Sequence, residues 1–392
     1  MGLVTWFFGL AEVKPDVRRI AAIFTGLGIL MQATITISTT FYLIFVAEAL
    51  GNGNYLIGMA SVGILVVIQM TMQTLLDYPT GVVGDWIGQR FILATAFLTY
   101  AAVYYLVSLV TYDSPFLFIA LIYALEGVAG SQQSGAMGSW LDNNWRVAME
   151  EDEGRKQYGV FIGKYGMIMW LTNVLILIPG GVLAVVIARQ WVFQLQAVLC
   201  VVIALVAMRL VKDLPGVRGT METRPSTKEY FSLLGEGLSY LFSSPYVTYL
   251  LLGSMLVTSS ISVWGNLILF PIYYGYLETD PAVAALRTLV MIPLVFYSER
   301  SGVWAKRYVP EKWIPRFRFI QTAGAVFFWI VAVIYFIFPP PPPGSPVISY
   351  VIPGTDILIL QVPYASLIPI LMLVVLFYVC GAFLQVAGVL TS

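Results

Sequence analysis

The chain has 392 residues, 59% of them hydrophobic and only 11% charged, with a mean hydropathy of +0.84. A soluble domain carries about 25% charged residues, so there is too little polar surface here to cover a soluble globule. Several membrane spans are indicated instead. The 21 basic residues balance 21 acidic ones and histidine is absent. This excludes a basic nucleic-acid footprint, histidine-ligated metal sites, histidine-based nucleophilic pairs and a histidine proton relay.

Hydropathy divides the chain into about ten apolar segments, near 20–48, 55–77, 91–111, 115–140, 160–187, 190–211, 246–277, 282–298, 317–338 and 365–390. The first follows Arg18 and Arg19 and is too long for a signal-peptide core, so it reads as a retained span. With the N-terminus in the cytoplasm, all 21 basic residues except Arg189 and Arg287 fall on the cytoplasmic side, as the positive-inside rule requires. Six spans (1–212) precede a charged connection at 213–245, and four spans (246–392) follow. In the connection, Ser226 and Glu229 stand at capping-box spacing ahead of Phe231, Leu234, Leu238 and Leu241. That pattern predicts an amphipathic helix on the cytoplasmic face. Further on, Pro339–Pro343 is a polyproline run. After it, Val347–Ile352 and Ile357–Leu360 flank Pro353-Gly354-Thr355-Asp356 as two short strands around an external turn. Cys200 and Cys380 both lie in apolar runs and read as packing residues.

The turn after the second span carries the densest motif: Asp77-Tyr-Pro79-Thr80-Gly81-Val-Val-Gly84-Asp85-Trp86-Ile-Gly88-Gln89-Arg90. Its glycines permit a sharp turn, and Asp85 and Arg90 are charges at a membrane boundary. This stretch resembles the signature of the major facilitator superfamily of secondary transporters. Gly81, Asp85, Gly88 and Arg90 match the family spacing, while Trp86 and Gln89 replace basic residues. The preceding Asp77-x-Pro79-Thr80-Gly81 is similar to a stretch common in drug-exporter-like members. Ser134-Gly135-Ala136…Trp140-Leu141-Asp142 resembles the end of the family's fourth helix, and Pro179-Gly180-Gly181 its antiporter element. The family's repeat predicts a second turn, and Ser301-Gly302-Val-Trp-Ala-Lys306-Arg307 stands there, with Lys306 at the aspartate position. The resemblance implies an all-α polytopic fold of two bundles: six helices first, then an incomplete bundle of about four. The family usually has twelve spans, so the last two helices are expected to be missing. The resemblance also implies gating roles for Asp77, Gly81, Asp85, Gly88, Arg90, Gly302, Lys306 and Arg307.

An ionisable residue inside a span is expensive and marks function by default. Glu126, mid-way along the fourth span with Gly130 and Gln133 on the same face, reads either as the carrier of a coupled proton or as a structural carboxyl bonded to a neighbouring helix. With histidine absent, a carboxylate must carry any such proton. Arg287, in the outer part of the eighth span, reads as an anion binder, a partner of Glu126, Glu278 or Asp280, or a snorkelling residue. Glu48, at the outer end of span one, reads as solvated. Polar stripes include Gln32, Thr36 and Thr40; Gln69, Gln73 and Asp77; and Ser254, Thr258, Ser262 and Asn266, with Trp170 and Asn173 near mid-span five. They come from both halves, as a midplane cavity between two bundles requires; each also suits ordinary interhelical packing.

The expectation is a secondary active transporter that moves a small organic solute by alternating access, with proton-coupled efflux as the direction. The alternative is a non-transporting relative acting as a sensor or partner subunit. No catalytic cluster, metal site or cofactor-binding loop stands out, so an enzyme is not expected. The partners are the solute, protons or another coupling ion, and the lipid bilayer, with the chain acting as a monomer in the plasma membrane.

Overall fold

The structure is a computed structural model. It describes residues 3–9, 14–152, 155–217, 268–307, 326–342 and 344–378, with scattered positions between 232 and 252 and between 312 and 319. The helices are α1 (Leu3–Phe8), α2 (Pro15–Thr36), α3 (Tyr42–Leu50), α4 (Tyr55–Ile87), α5 (Gln89–Ser108), α6 (Phe116–Ala148), α7 (Lys156–Val186) and α8 (Arg189–Leu210). They are followed by α9 (Leu269–Leu277), α10 (Asp280–Arg307), α11 (Val326–Ile337) and α12 (Tyr364–Tyr378). Among the described residues, seven helices are long and apolar enough to cross a membrane. A helix of 20 residues spans about 30 Å, and α5 has 20 and α2 and α8 have 22 each. The outer faces of the seven expose Leu117, Leu121, Leu175, Val198 and Leu205, which water would not tolerate in such number and lipid requires. The protein is a multi-pass membrane protein.

The first apolar segment is two helices, not one. The chain turns between Ile37 and Phe41, where Thr39 N bonds Thr36 O and Phe41 N bonds Ser38 O at 3.0 and 3.1 Å, the tighter i to i+3 pattern. The cause lies in the residues. Ile37, Thr39 and Thr40 are β-branched, and the Thr39 hydroxyl bonds Ile35 O at 3.2 Å, competing with the helical ladder. The segments expected near 246–277 and 317–338 lie mostly outside the described residues, apart from α9 and α11. So do Ser226, Glu229, Thr258, Ser262 and Asn266.

One buried cluster draws its residues from Phe8 to Val211, with Trp140, Trp145, Phe97, Phe161 and Phe193 at its centre. A second runs from Leu269 to Leu373 around Phe270, Tyr273 and Tyr276. Within the first, α5 packs on α8 and α6, and α4 on α6 and α3. Among the described elements the most extensive packing joins α7 to α10, which run antiparallel. Glycine makes it possible. A Cβ on Gly166 would lie 2.6 Å from Ser298 Oγ at one end, and one on Gly181 would lie 2.9 Å from the Asp280 carbonyl at the other. A Cβ on Gly180 would overlap the Ile37 carbonyl, so the same stretch of α7 also receives the turn between α2 and α3.

At the end of the bundle where α7 joins α8, β1 (Val347–Val351) and β2 (Leu358–Pro363) form an antiparallel hairpin in register from Val347↔Pro363 to Tyr350↔Leu360. Gly354 takes φ +82° in its turn. The hairpin docks on α9 and α10 through buried Val362 and a bond from Thr279 Oγ1 to Ile359 O.

Candidate functional site

A cavity of about 380 Å³ opens beside the turn between α2 and α3. That turn supplies Ser38 and Thr39, and its flanks supply Ile35, Tyr42 and Leu43. Helix α4 adds Val66, Gln69, Met70 and Gln73, α5 adds Tyr104, α6 adds Tyr123 and Glu126, and α9 adds Phe270. The break in the first span thus sits in the cavity wall and contributes two hydroxyls and Tyr42 to it.

Glu126 is the one ionisable carboxyl among the described lining residues. It accepts a hydrogen bond from the Tyr42 hydroxyl at 2.9 Å. Among the described residues no lysine or arginine forms an ion pair with it. A carboxyl so placed has no fixed counter-charge to hold it ionised, and a proton or a solute group must answer it.

The other polar candidates lie around the cavity rather than in its wall. Gln32 and Thr36 of α2 both bond the Asn173 amide oxygen of α7, at 2.7 and 2.6 Å, and so tie two helices together. Gln133 accepts from the Tyr100 hydroxyl at 3.1 Å. Trp170 is half-buried on α7. Arg287 lays its guanidinium over the Phe270 ring, 3.7 Å from the centroid. It pairs with neither Glu126, Glu278 nor Asp280. Gln69 and Gln73 of the second stripe are in the wall, as are Tyr42, Tyr104 and Tyr123, which no local pattern in the sequence marks out.

The motif stretches of α4 and α6 meet towards the end opposite the hairpin, whereas Pro179-Gly180-Gly181 packs nearer the hairpin end, against Ile37 and Asp280. Ser134 of α6 donates to Asp77 Oδ1 of α4 at 2.9 Å, and the Thr80 hydroxyl reaches the Ser131 carbonyl at 3.0 Å. The Asp77-x-Pro79-Thr80 segment thus fastens α4 to α6. Gly88 joins α4 to α5 alone, at φ +104°, a conformation side chains resist. Gly81 and Asp85 continue α4 in helical form. Arg90 lies over Phe91, 4.6 Å from the ring centroid. Gly302, Lys306 and Arg307 form the last turns of α10. Asp142 pairs with Arg146 at 2.9 Å and with Arg155.

At the hairpin end a second charged group was not foreseen as a unit. Arg189, 17% exposed, bonds Glu48 Oε2 at 2.6 Å and both oxygens of Asp280 at 2.8 Å. Tyr274 lies 3.4 Å from both Arg189 and Glu48. Glu48 ends α3 and Asp280 starts α10, so one guanidinium clasps the two parts of the chain. The expected solvation of Glu48 gives way to this pairing, because Arg189 reaches it from the turn between α7 and α8.

A sequence profile described as Major Facilitator Superfamily matches residues 23–389, nearly the whole chain. The chain belongs to this superfamily. Membership makes it a secondary transporter rather than an enzyme, with a small-molecule substrate. Among solved structures, a crystal structure of a mutant of the nucleoside transporter NupG superposes with a TM-score of 0.60 at 13% identity, covering 94% of this chain and 81% of that one. At that identity the likeness is one of fold, the superfamily's two-part helical architecture. No curated protein matches the chain.

Proposed function

We propose that the protein exports a small organic solute across the plasma membrane by alternating access, with a proton carried on Glu126. The observation that supports this most is the Glu126 carboxyl, set in the cavity wall against Tyr42 with no cationic partner among the described residues. A group so placed can exchange a proton for solute as the cavity changes sides. The N-terminus and the Gly88 turn face the cytoplasm, and the hairpin faces outward, in keeping with the basic residues. The Arg189 clasp then closes the outer side while the two parts are joined there, and the motif ends of α4 and α10 form the cytoplasmic side. Export rests on the likeness of Asp77-x-Pro79-Thr80-Gly81 to drug-exporter-like members. The chain acts as a monomer.

The test uses the full chain in proteoliposomes of neutral phospholipid with an imposed pH gradient and a panel of labelled organic solutes. Proton-driven movement of at least one solute, lost in Glu126→Gln while gradient-free exchange persists, is the expected result. Movement that is unchanged in Glu126→Gln would remove the coupling role, and no movement of any solute would remove the transport reading.

A further inference from the structure

Two buried polar groups near the cavity have hydrogen-bonding atoms that no described residue satisfies. The Nε and Nη1 atoms of Arg287 are buried and unbonded, and so is the Tyr273 hydroxyl. Tyr273 is 0% exposed and lies one helical turn after Phe270 on α9, within electrostatic range of Arg287. Phe270 lines the cavity together with Glu126, and its ring carries the Arg287 guanidinium.

A guanidinium inside a membrane protein has a large desolvation cost and is retained where something answers its charge. The described carboxylates near this end are already engaged. Glu48 and Asp280 belong to Arg189. Glu278 accepts from Gln361 Nε2 at 3.4 Å, and Glu126 accepts from Tyr42. The anion that completes Arg287 is therefore not supplied by these residues.

We infer that Arg287 and Tyr273 form an anion-recognising subsite next to Phe270, and that the solute is a small organic carboxylate with an aromatic body. This rests on the transport reading above and gives its substrate a chemical class. The charge follows from Arg287, whose planar fork matches a carboxylate. The aromatic body follows from Tyr42, Tyr104, Tyr123 and Phe270, whose faces and edges line the space. A volume of about 380 Å³ holds one or two rings, not a lipid or a peptide.

Matched probes separate charge from shape. The full chain, purified into lipid nanodiscs at pH 7.5, is titrated calorimetrically with benzoate against benzamide, and with 1-naphthoate against 1-naphthamide. At least one carboxylate is expected to bind roughly tenfold to a hundredfold tighter than its amide. Arg287→Gln erases that preference and Arg287→Lys keeps part of it. Equal binding of acid and amide, no binding of either carboxylate, or a preference that survives Arg287→Gln overturns the inference. The wild-type comparison decides the matter even if Arg287→Gln does not fold. A chain that binds carboxylates in this way yet moves nothing in the pH-gradient assay fails the transport reading while the subsite stands. A chain that moves neutral solutes only does the reverse.

Discussion

Tyr42 and Glu126 form the smallest unit on which function depends. Tyr42→Phe leaves the Glu126 carboxyl in place and removes its described hydrogen bond. Such a loss at a buried charged acceptor is worth about 1.5–3 kcal/mol. The proton dependence of transport should therefore shift in Tyr42→Phe with solute affinity little changed, as read from flux measured across a pH series. Gly180 is a residue of a different kind, since a methyl group there would run into the Ile37 carbonyl. Gly180→Ala should cost about 1–3 kcal/mol, seen as a lower melting temperature in detergent. Gly135→Ala, with no described heavy atom near its Cβ position, should melt like the wild type.

Among the elements, the pair α2–α3 and the Arg189 clasp were the least visible in the sequence. Nothing between Ile37 and Phe41 is a glycine or a proline. The break follows from a run of β-branched and hydroxyl residues that hydropathy scores as part of one span. The clasp joins residues 141 and 91 positions apart, and no local pattern encodes such a meeting. By contrast, the hairpin was readable from Pro353-Gly354 between two β-rich runs. Glu126 stood out because it is an acid in an apolar stretch, whereas the tyrosines around it looked like any buried ring. Arg189→Met would leave Glu48 and Asp280 facing each other without a cation, a loss of about 3–5 kcal/mol for a buried pair. Its expected result is an outward opening. In a background lacking Cys200 and Cys380, a cysteine placed at Ser38 should then be labelled from outside at least about tenfold faster than with Arg189 intact. Equal labelling would show that the clasp does not hold the outer side shut.

For the whole molecule, the orientation and the two-part build can be examined together. Long apolar helices and the positions of the basic residues are legible because bilayer thickness and leaflet charge act on composition directly. How the parts meet is not, because it depends on close approach at single glycines. A cysteine at Thr355, on the hairpin tip, should react with an impermeant thiol reagent in intact cells, and one at Glu151, in the exposed turn between α6 and α7, only after permeabilisation. The opposite pattern would invert the assigned topology.

The seam between α7 and α10 has glycine near each end, at 166 and 181, about 22 Å apart at 1.5 Å per residue. At each end the neighbouring helix already fills the space a side chain would take, Ser298 at one and the Asp280 carbonyl at the other. A methyl group added at either position would therefore act as a wedge, prising the two parts of the chain apart at that end while the other end stays seated.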